Sequence, residues 1–147
     1  MRLSFDDYFM EFAILASRRS TCASRQVGAV IVRDKHIIST GYNGSPPGVE
    51  HCTQVGCKIL DGRCIKSIHA EQNAILQAAL HGVSTRGATL YCTWRPCSVC
   101  ANMVAGSGIV RVVYIDGEMD GWSKEVFDAC EIKYECYEKK APQVDEV

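Results

Sequence analysis

The segments Ile68-His69-Ala70-Glu71 and Arg95-Pro96-Cys97-Ser98-Val99-Cys100 place the strongest constraint on the fold of this chain. Cys97 and Cys100 are three residues apart, so on a helix their side chains share one face and can reach the same ion. His69 supplies a third ligand of a kind that zinc prefers. Each segment is predicted to open a helix, where exposed amides and the helix dipole lower the pKa of a cysteine. The sequence therefore predicts two helix N-termini that meet at a tetrahedral zinc ion with one position left for water.

The hydrophobic pattern on either side of these segments predicts alternating helices and strands. Helices are predicted over 4–19, 69–81, from 96 or 97 onward, and 124–130, and strands over 27–32, 36–42, 88–93, 109–115 and 132–137. The first two strands are expected to form a hairpin, and 51–67 to be a loop. The order α-β-β-α-β-α-β-α-β favours a three-layer α/β/α domain, with a mixed five-stranded sheet between helices on both faces. A single domain, 1–147, is expected, with 139–147 frayed.

The composition is that of an ordinary globular protein. Hydrophobic residues make up 47% of the 147 residues and charged residues 22%, and the net charge is -1. This balance provides no large field to hold a long nucleic acid, whereas a small anion can still bind locally. The stretch 1–12 is acidic and has no unbroken apolar run, so neither a signal peptide nor a membrane anchor is expected, and the protein is predicted to be cytoplasmic. Nine cysteines, an odd number, favour metal ligation over disulfides.

Together the two segments form the pattern H-x-E followed by P-C-x-x-C, which is the signature of zinc-dependent nucleobase deaminases. In that chemistry Glu71 is the general acid/base, which takes a proton from water and passes protons to the ring nitrogen and the departing ammonia. Residues two apart on a regular helix do not share a face, so His69 and Glu71 converge only if His69 occupies the half-helical first position. The alternative is a purely structural zinc domain, and the presence of Glu71 argues against it.

Four further cysteines surround the predicted hairpin and the loop after it: Cys22, Cys52, Cys57 and Cys64. If the two ends of the hairpin lie side by side, Cys22 before the first strand comes close to Cys52 after the second. The four are therefore predicted to form a closed, structural zinc site that holds the loop. Two alternatives stay open: His51 replaces one cysteine, or the four are small buried side chains. The remaining cysteines are interpreted as packing residues, namely Cys92, Cys130 and Cys136.

From about residue 18 to residue 115 the chain resembles the deoxycytidylate deaminase family, including its late-competence branch. The resemblance rests on the segments Arg19–Cys22, Gln26–Ile31, Gly41–Gly48, His69–Ile75 and Pro96–Cys100. It implies a cytidine deaminase-like fold, one catalytic zinc, and hydrolytic deamination of dCMP to dUMP, the precursor for thymidylate synthesis. It also implies a homo-oligomer, such as a hexamer.

The resemblance carries two further implications. In many members of the family dCTP activates and dTTP inhibits at a site near the Gly-Tyr-Asn-Gly loop, so Tyr42 and Gly44 are implied effector contacts. Some members hold a second zinc ion, in which Cys22 and Cys52 have counterparts.

A nucleotide monophosphate needs positive charge and hydrogen-bond donors near the mouth of the pocket. Arg25, just before the first strand, is the predicted phosphate ligand, with a merely solvated arginine as the alternative. Asn43 is predicted to contact sugar or base, with a left-handed turn beside Gly44 as the alternative. Trp94 either stacks on the pyrimidine or covers the core. Ala70 is a further predicted substrate contact.

Other functions use the same zinc chemistry. The enzyme alternatives are deamination of dCTP, or of adenosine or cytidine within RNA. An RNA-binding protein is expected to carry a basic stripe, but the segment 137–147 is mixed in sign. The non-enzyme alternative is a zinc-binding scaffold in DNA uptake, against which the intact Glu71 argues.

Overall fold

The chain follows the predicted order of elements in a computed structural model, which describes residues 2–139. The helices are α1 (Phe5–Ser17), α2 (Cys52–Val55), α3 (Ala70–Leu80), α4 (Ser98–Gly106) and α5 (Gly121–Ala129). The strands are β1 (Gly28–Arg33), β2 (His36–Tyr42), β3 (Ile59–Leu60), β4 (Arg63–Cys64), β5 (Thr89–Trp94), β6 (Arg111–Asp116) and β7 (Lys133–Cys136). The prediction of a plain loop over 51–67 is wrong, because that stretch contains α2 and the small hairpin β3–β4.

The five long strands form one mixed sheet in the order β2-β1-β5-β6-β7, which confirms the predicted fold class. Strand β1 is antiparallel to both β2 and β5, whereas β5, β6 and β7 run parallel. Parallel neighbours end at the same edge of a sheet, where α/β proteins place their ligands. The segment with the two close cysteines leaves β5 at this edge.

Helices cover both faces of the sheet, so its central strands are buried on each side. Helix α1 packs on one face, where Phe9 and Met10 meet Val30 and Val113. Helices α3, α4 and α5 pack on the opposite face around a larger apolar cluster that includes Phe127. Successive side chains of a strand point to opposite faces, which is why β1 reads as an unbroken apolar run. Burial on both faces holds the sheet edge that carries the site in a fixed position.

Two glycines permit close approach of helices to the hairpin. A Cβ atom at Gly28 would lie 2.0 Å from the carbonyl oxygen of Ala13 in α1. A Cβ atom at Gly41 would lie 2.3 Å from the carbonyl oxygen of Ala70, in the first turn of α3. The absence of a side chain at Gly41 therefore allows the first turn of α3 to lie directly against β2.

The described ends of the chain meet on the α1 side of the sheet. Ser4 caps α1 by accepting a hydrogen bond from the Asp7 amide at 3.1 Å, as the sequence predicts. Arg111 forms an ion pair with Asp6 at 2.8 Å, and the Tyr137 hydroxyl donates to the Asp7 carboxylate. The predicted frayed tail, 139–147, lies almost entirely outside the described residues. Within 2–139 no helix is both long and apolar enough to cross a membrane.

Two predicted helix boundaries differ from those in the structure. Helix α1 ends at Ser17, earlier than the predicted end near Arg19. Helix α5 begins at Gly121, three residues before the predicted start. The earlier start has a local cause, because the Asp120 carboxylate accepts a hydrogen bond from the Ser123 amide at 2.9 Å and caps the helix.

Candidate metal and active site

The first half of the site lies at the N-terminus of α3. His69 is the N-cap, with extended backbone angles, and its amide donates to the Gln72 side chain at 2.9 Å. This is the half-helical position that the sequence argument requires for His69. The buried Glu71 side chain follows in the first turn of the helix. The capping role of Gln72 was not predicted, although a Gln three residues after an N-cap is a recognisable signal.

The second half of the site lies where β5 leads into α4. Cys97 is the N-cap of α4, and its sulfur accepts a hydrogen bond from the Cys100 amide at 3.5 Å. Pro96 precedes the cap and is buried. Cys100, in the first turn, is fully buried, whereas Cys97 is half-buried. The pair therefore presents one sulfur toward the protein interior and one toward the mouth of the site.

The two helix N-termini bring their donor atoms together. The His69 Nδ1 atom lies 3.3 Å from the Cys100 sulfur and 3.5 Å from the Cys97 sulfur. One donor atom of each of these residues falls within 4.8 Å of the other two, a spacing that suits a single metal ion. The Glu71 carboxylate lies beside this group, with Oε2 3.6 Å from the Cys100 sulfur. Three ligands and an adjacent carboxylate leave a tetrahedral ion one position for water, the arrangement typical of catalytic zinc.

Proton positions in this group follow from its contacts. The hydrogen bond with Cys100 lowers the pKa of Cys97 to about 3 and raises the pKa of Cys100. The hydrogen bond with Cys97 raises the pKa of His69. Burial raises the pKa of Glu71 to about 7. Cys97 is therefore a thiolate at neutral pH, and a metal ion that binds here displaces the proton of Cys100.

A second cysteine cluster lies in the segment between β2 and α3. Cys52, Cys57 and Cys64 have sulfur atoms within 4.8 Å of one another, and those of Cys52 and Cys64 are 4.0 Å apart. Cys22 lies outside this set of three. Its chain neighbour Thr21 nevertheless accepts a hydrogen bond from the Thr53 amide at 3.3 Å, so the two segments are adjacent.

His51 and the cysteines outside the two clusters differ in their exposure to solvent. His51 is exposed at the N-terminus of α2 and is not part of the cluster, so the structure does not favour a mixed histidine site. Cys92 is buried in the core, as the sequence predicts. The prediction that Cys130 and Cys136 are packing residues is wrong, since both are exposed. Each lies at the end of its element, and the Cys136 thiol donates a hydrogen bond to the Ile115 carbonyl at 3.2 Å.

Arg25 and Trp94 form a pair at the sheet edge that carries the site. The Arg25 guanidinium carbon lies 3.6 Å from the centre of the Trp94 ring, in a cation–π contact. Arg25 is exposed and Trp94 is half-buried. Within residues 2–139 the guanidinium donates to no carboxylate or carbonyl oxygen, so its N–H groups are available to a ligand. One face of Trp94 is thus covered by Arg25.

Asn43 has a structural role that was not predicted. Its side-chain oxygen accepts hydrogen bonds from the Ser20 hydroxyl at 2.5 Å and the Val27 amide at 2.9 Å, and its amide group donates to the Arg25 carbonyl at 2.7 Å. The predicted alternative, a left-handed turn, is wrong, because Asn43 does not have a positive φ. Asn43 instead joins three chain segments and holds the backbone of Arg25.

The remaining predicted contacts lie along β2 and its exit. The Tyr42 carbonyl accepts a hydrogen bond from the Asn73 side chain of α3 at 2.7 Å. Gly44 pairs with Ile68 through two backbone hydrogen bonds of 2.8 and 3.1 Å. Ala70 is fully buried as a whole residue, and its carbonyl oxygen packs against Gly41. The loop that contains Tyr42 and Gly44 is thus attached directly to the N-terminal end of α3.

An α/β/α fold with a histidine and two cysteines at paired helix N-termini, beside a buried carboxylate, defines the zinc-dependent deaminase class. Residues 3–116 match the family described as the cytidine and deoxycytidylate deaminase zinc-binding region. The chain belongs to this family.

Relatives and solved structures agree with this assignment. The chain is 42% identical over 145 residues to ComE operon protein 2 of Bacillus subtilis, covering 98% of this chain and 77% of that protein. It is 45% identical over 121 residues to the deoxycytidylate deaminase of Saccharomyces cerevisiae, covering 78% of this chain but only 38% of the yeast protein. The crystal structure of dCMP deaminase from cyanophage S-TIM5 with dCMP and dUMP superposes with a TM-score of 0.79 at 30% identity, covering 93% and 99% of the two chains.

Proposed function

We propose that this protein is a hydrolase that converts dCMP to dUMP and ammonia, and so supplies dUMP for thymidylate synthesis. The observation that carries the proposal is the buried Glu71 carboxylate 3.6 Å from the Cys100 sulfur, beside the imidazole of His69 and the sulfur of Cys97. A yeast relative named deoxycytidylate deaminase and a cyanophage structure containing dCMP and dUMP support this choice of substrate.

The donor set at the two helix N-termini suits a zinc ion. One imidazole and two sulfurs within 4.8 Å of one another match the ligand types and number of a catalytic zinc site. Two thiolates also balance the charge of a divalent ion. When bound in such a site, zinc lowers the pKa of water from about 15.7 to about 7. We assign His69, Cys97 and Cys100 as its ligands.

Glu71 is the proton carrier in the proposed reaction. Burial raises the pKa of its carboxyl group to about 7, which favours the uptake of a proton from water. The carboxylate accepts a proton from the attacking water, and the resulting carboxylic acid donates that proton to the ring nitrogen next to the reacting carbon. A second transfer protonates the departing amino group. Burial at the N-terminus of α3 keeps this carboxyl group away from bulk solvent.

Arg25 is assigned to the phosphate of the nucleotide. Its guanidinium is held by Trp94, and its N–H groups are unpaired within residues 2–139. Such a preorganised fork suits a phosphate group, which accepts two parallel hydrogen bonds. Arg25 covers one face of Trp94, and the ring also packs against the core, which favours the predicted alternative that Trp94 covers the core. Asn43 and Ala70 are the remaining proposed contacts with the nucleoside.

A second, structural zinc ion is proposed at Cys52, Cys57 and Cys64, with Cys22 as the fourth ligand. Backbone amides of Lys66 and Ser67 outweigh the effect of burial and lower the pKa of Cys64 to about 7, which favours a thiolate. The segment between β2 and α3 contains only the four-residue helix α2 and the two-residue strands β3 and β4, so a metal ion would hold it. Nine free thiols in the chain fit the cytoplasm, where we place the enzyme.

Regulation by dCTP and dTTP is proposed at the loop of Tyr42 and Gly44. Asn73 and Ile68 bond this loop to both sides of His69, so a nucleotide that moves the loop also moves the metal ligand. We expect dCTP to shift the dCMP saturation curve of the homo-oligomer to lower concentration. Superimposable curves with and without dCTP would exclude this regulation.

Substrate identity is tested by offering dCMP, dCTP, cytidine and a short RNA to the zinc-loaded protein. Mass spectrometry detects the gain of about one mass unit that accompanies replacement of an amino group by oxygen. We expect turnover of dCMP above all others, and at least about a hundredfold less of it with Glu71→Gln. Preferred conversion of dCTP or RNA would replace the proposed substrate, and no conversion of any would favour the scaffold function.

A further inference from the structure

Helix α1 is apolar on the face that points away from the sheet. Tyr8, Phe12 and Leu15 recur at helical spacing on this outer face, and Tyr8 and Leu15 are 45% and 58% exposed. The inner face is also apolar, with Phe9 and Met10 buried against the sheet. Contiguous apolar side chains on the surface of a protein commonly mark a site of interaction. The outer face of α1 therefore needs a partner.

The outer face forms a shallow groove of about 490 Å³. Leu3 and Ile14 extend its apolar surface at either side and are 45% and 37% exposed. The groove also contains one acidic and one basic side chain, Glu11 and Arg18. Neither of them forms an ion pair with any of residues 2–139. The surface is thus an apolar stripe with one unpaired charge of each sign.

The placement of these two charges makes the surface complementary to itself. Glu11 and Arg18 are seven residues apart, so they lie about two turns apart on one side of the helix. When two copies of α1 pack antiparallel about a twofold axis near Ile14 and Leu15, Glu11 of each copy faces Arg18 of the other. In a twofold contact every such pair forms twice.

We propose that the outer face of α1 is a contact between two copies of this chain. A lipid surface or an unrelated apolar partner would account for Tyr8, Phe12 and Leu15. It would not account for the positions of the opposite charges of Glu11 and Arg18. Helix α1 is about 20 Å long, so its face alone buries less than the roughly 800 Å² per partner of a typical stable interface. Pairing through α1 is therefore concentration-dependent unless other surfaces extend it.

The test is a charge-reversal cycle followed by sedimentation velocity over a wide range of protein concentration. We expect Glu11→Arg and Arg18→Glu each to weaken self-association at least about tenfold, as like charges meet at the contact. The double variant Glu11→Arg/Arg18→Glu restores association, because the pairs re-form with the signs exchanged. Glu125→Arg, an exposed site on α5, is the matched control and leaves association unchanged. Circular dichroism checks that all variants fold.

Three outcomes would overturn the proposal. The wild-type protein stays monomeric at every concentration, the single reversals behave like Glu125→Arg, or the double variant remains as weak as the singles. Binding of a monomeric wild-type protein to phosphatidylcholine vesicles would assign the stripe to a lipid surface instead. None of these measurements depends on deaminase activity, so the proposal stands or falls separately from the proposed function.

Discussion

Burial changes the pKa of Glu71, the proposed general acid/base. A carboxyl group on the protein surface would be ionised at neutral pH, whereas burial beside the proposed metal ligands raises the pKa of Glu71 to about 7. A group titrating in that range can both accept and return a proton within one catalytic cycle. The N-cap conformation of His69 allows the imidazole and this carboxylate to converge.

We predict that Glu71→Gln retains zinc but lowers kcat by about 10²- to 10⁴-fold, since the amide cannot carry the proton. Steady-state kinetics measures kcat, and metal analysis of the same sample measures the zinc content. Glu125→Gln, which removes an exposed carboxylate on α5, serves as the control and keeps full turnover. Undiminished kcat in Glu71→Gln would rule out the proposed proton carrier.

Arg25 provides a second prediction at the residue scale. A hydrogen-bonded charge contributes about 1.5–3 kcal/mol, so Arg25→Ala is expected to raise KM for dCMP at least about tenfold. Deoxycytidine, which lacks the phosphate, is the internal control, and its kinetic constants stay unchanged. Equal effects on both substrates would mean that Arg25 supports Trp94 without contacting the phosphate.

At the scale of elements, the site depends on how closely α3 approaches β2. Gly41 lets the first turn of α3 pack against the strand, and Asn73 bonds the strand end from the same helix. The N-terminus of α3 carries His69 and Glu71, so its position is set by a residue that touches neither the metal site nor a substrate. Packing between elements thus controls the geometry of the site.

Gly41→Ala is expected to destabilise the protein by about 1–3 kcal/mol, the usual cost of overpacking, and to lower deaminase activity as α3 shifts. Thermal unfolding and dCMP turnover measure the two effects. Gly106→Ala at the end of α4 is the matched control, because a Cβ atom there meets nothing within 4 Å. If both variants behaved alike, close approach at Gly41 would not position the helix.

The segment between β2 and α3 gives a prediction about metal content. We expect two zinc ions per subunit in the wild-type protein and one in Cys57→Ser, together with faster proteolysis within 51–68. Cys130→Ser removes an exposed cysteine far from the cluster in sequence and should leave both ions bound. About one zinc per subunit in the wild type, unchanged in Cys57→Ser, would dispose of the second site.

At the scale of the whole molecule, contacts between the described ends hold α1 on the sheet. Arg111 of β6 pairs with Asp6, and the Tyr137 hydroxyl after β7 donates to Asp7. That hydrogen bond holds the pKa of Asp7 below its ordinary value of 3.8. A carboxylate with a lowered pKa stabilises the folded state above that value, and the contribution is lost as the pH falls through its folded pKa.

Tyr137→Phe is therefore predicted to lower the Tm at neutral pH, and the difference from wild type should shrink as the pH falls well below 3.8. Thermal unfolding across a pH series provides the measurement. Tyr8→Phe, compared at low protein concentration, is the control, because Tyr8 lies on the same helix and is 45% exposed. A Tm difference that does not change with pH would show that the hydroxyl acts only through packing.

Features encoded by neighbouring residues could be predicted from the sequence. The element order, the hairpin, the α1 cap and the pairing of H-x-E with P-C-x-x-C all follow from local spacing and capping preferences. The exact start of α5 and the small hairpin β3–β4 were missed, because a helix cap such as Asp120 and two-residue strands give little periodic signal. Exposure of Cys130 and Cys136 was missed for a similar reason, since element ends can face either way.

The α/β/α class and the residues of the candidate metal site could be inferred from the sequence alone, because the ligand types and their spacing leave few other uses for them. Three features became known only from the folded chain: which cysteines of the second set come together, the bonding of three segments by Asn43, and the cover of Trp94 by Arg25. These contacts join residues far apart in the chain, so they depend on the path of the backbone and on packing. Short-range sequence patterns do not predict that path.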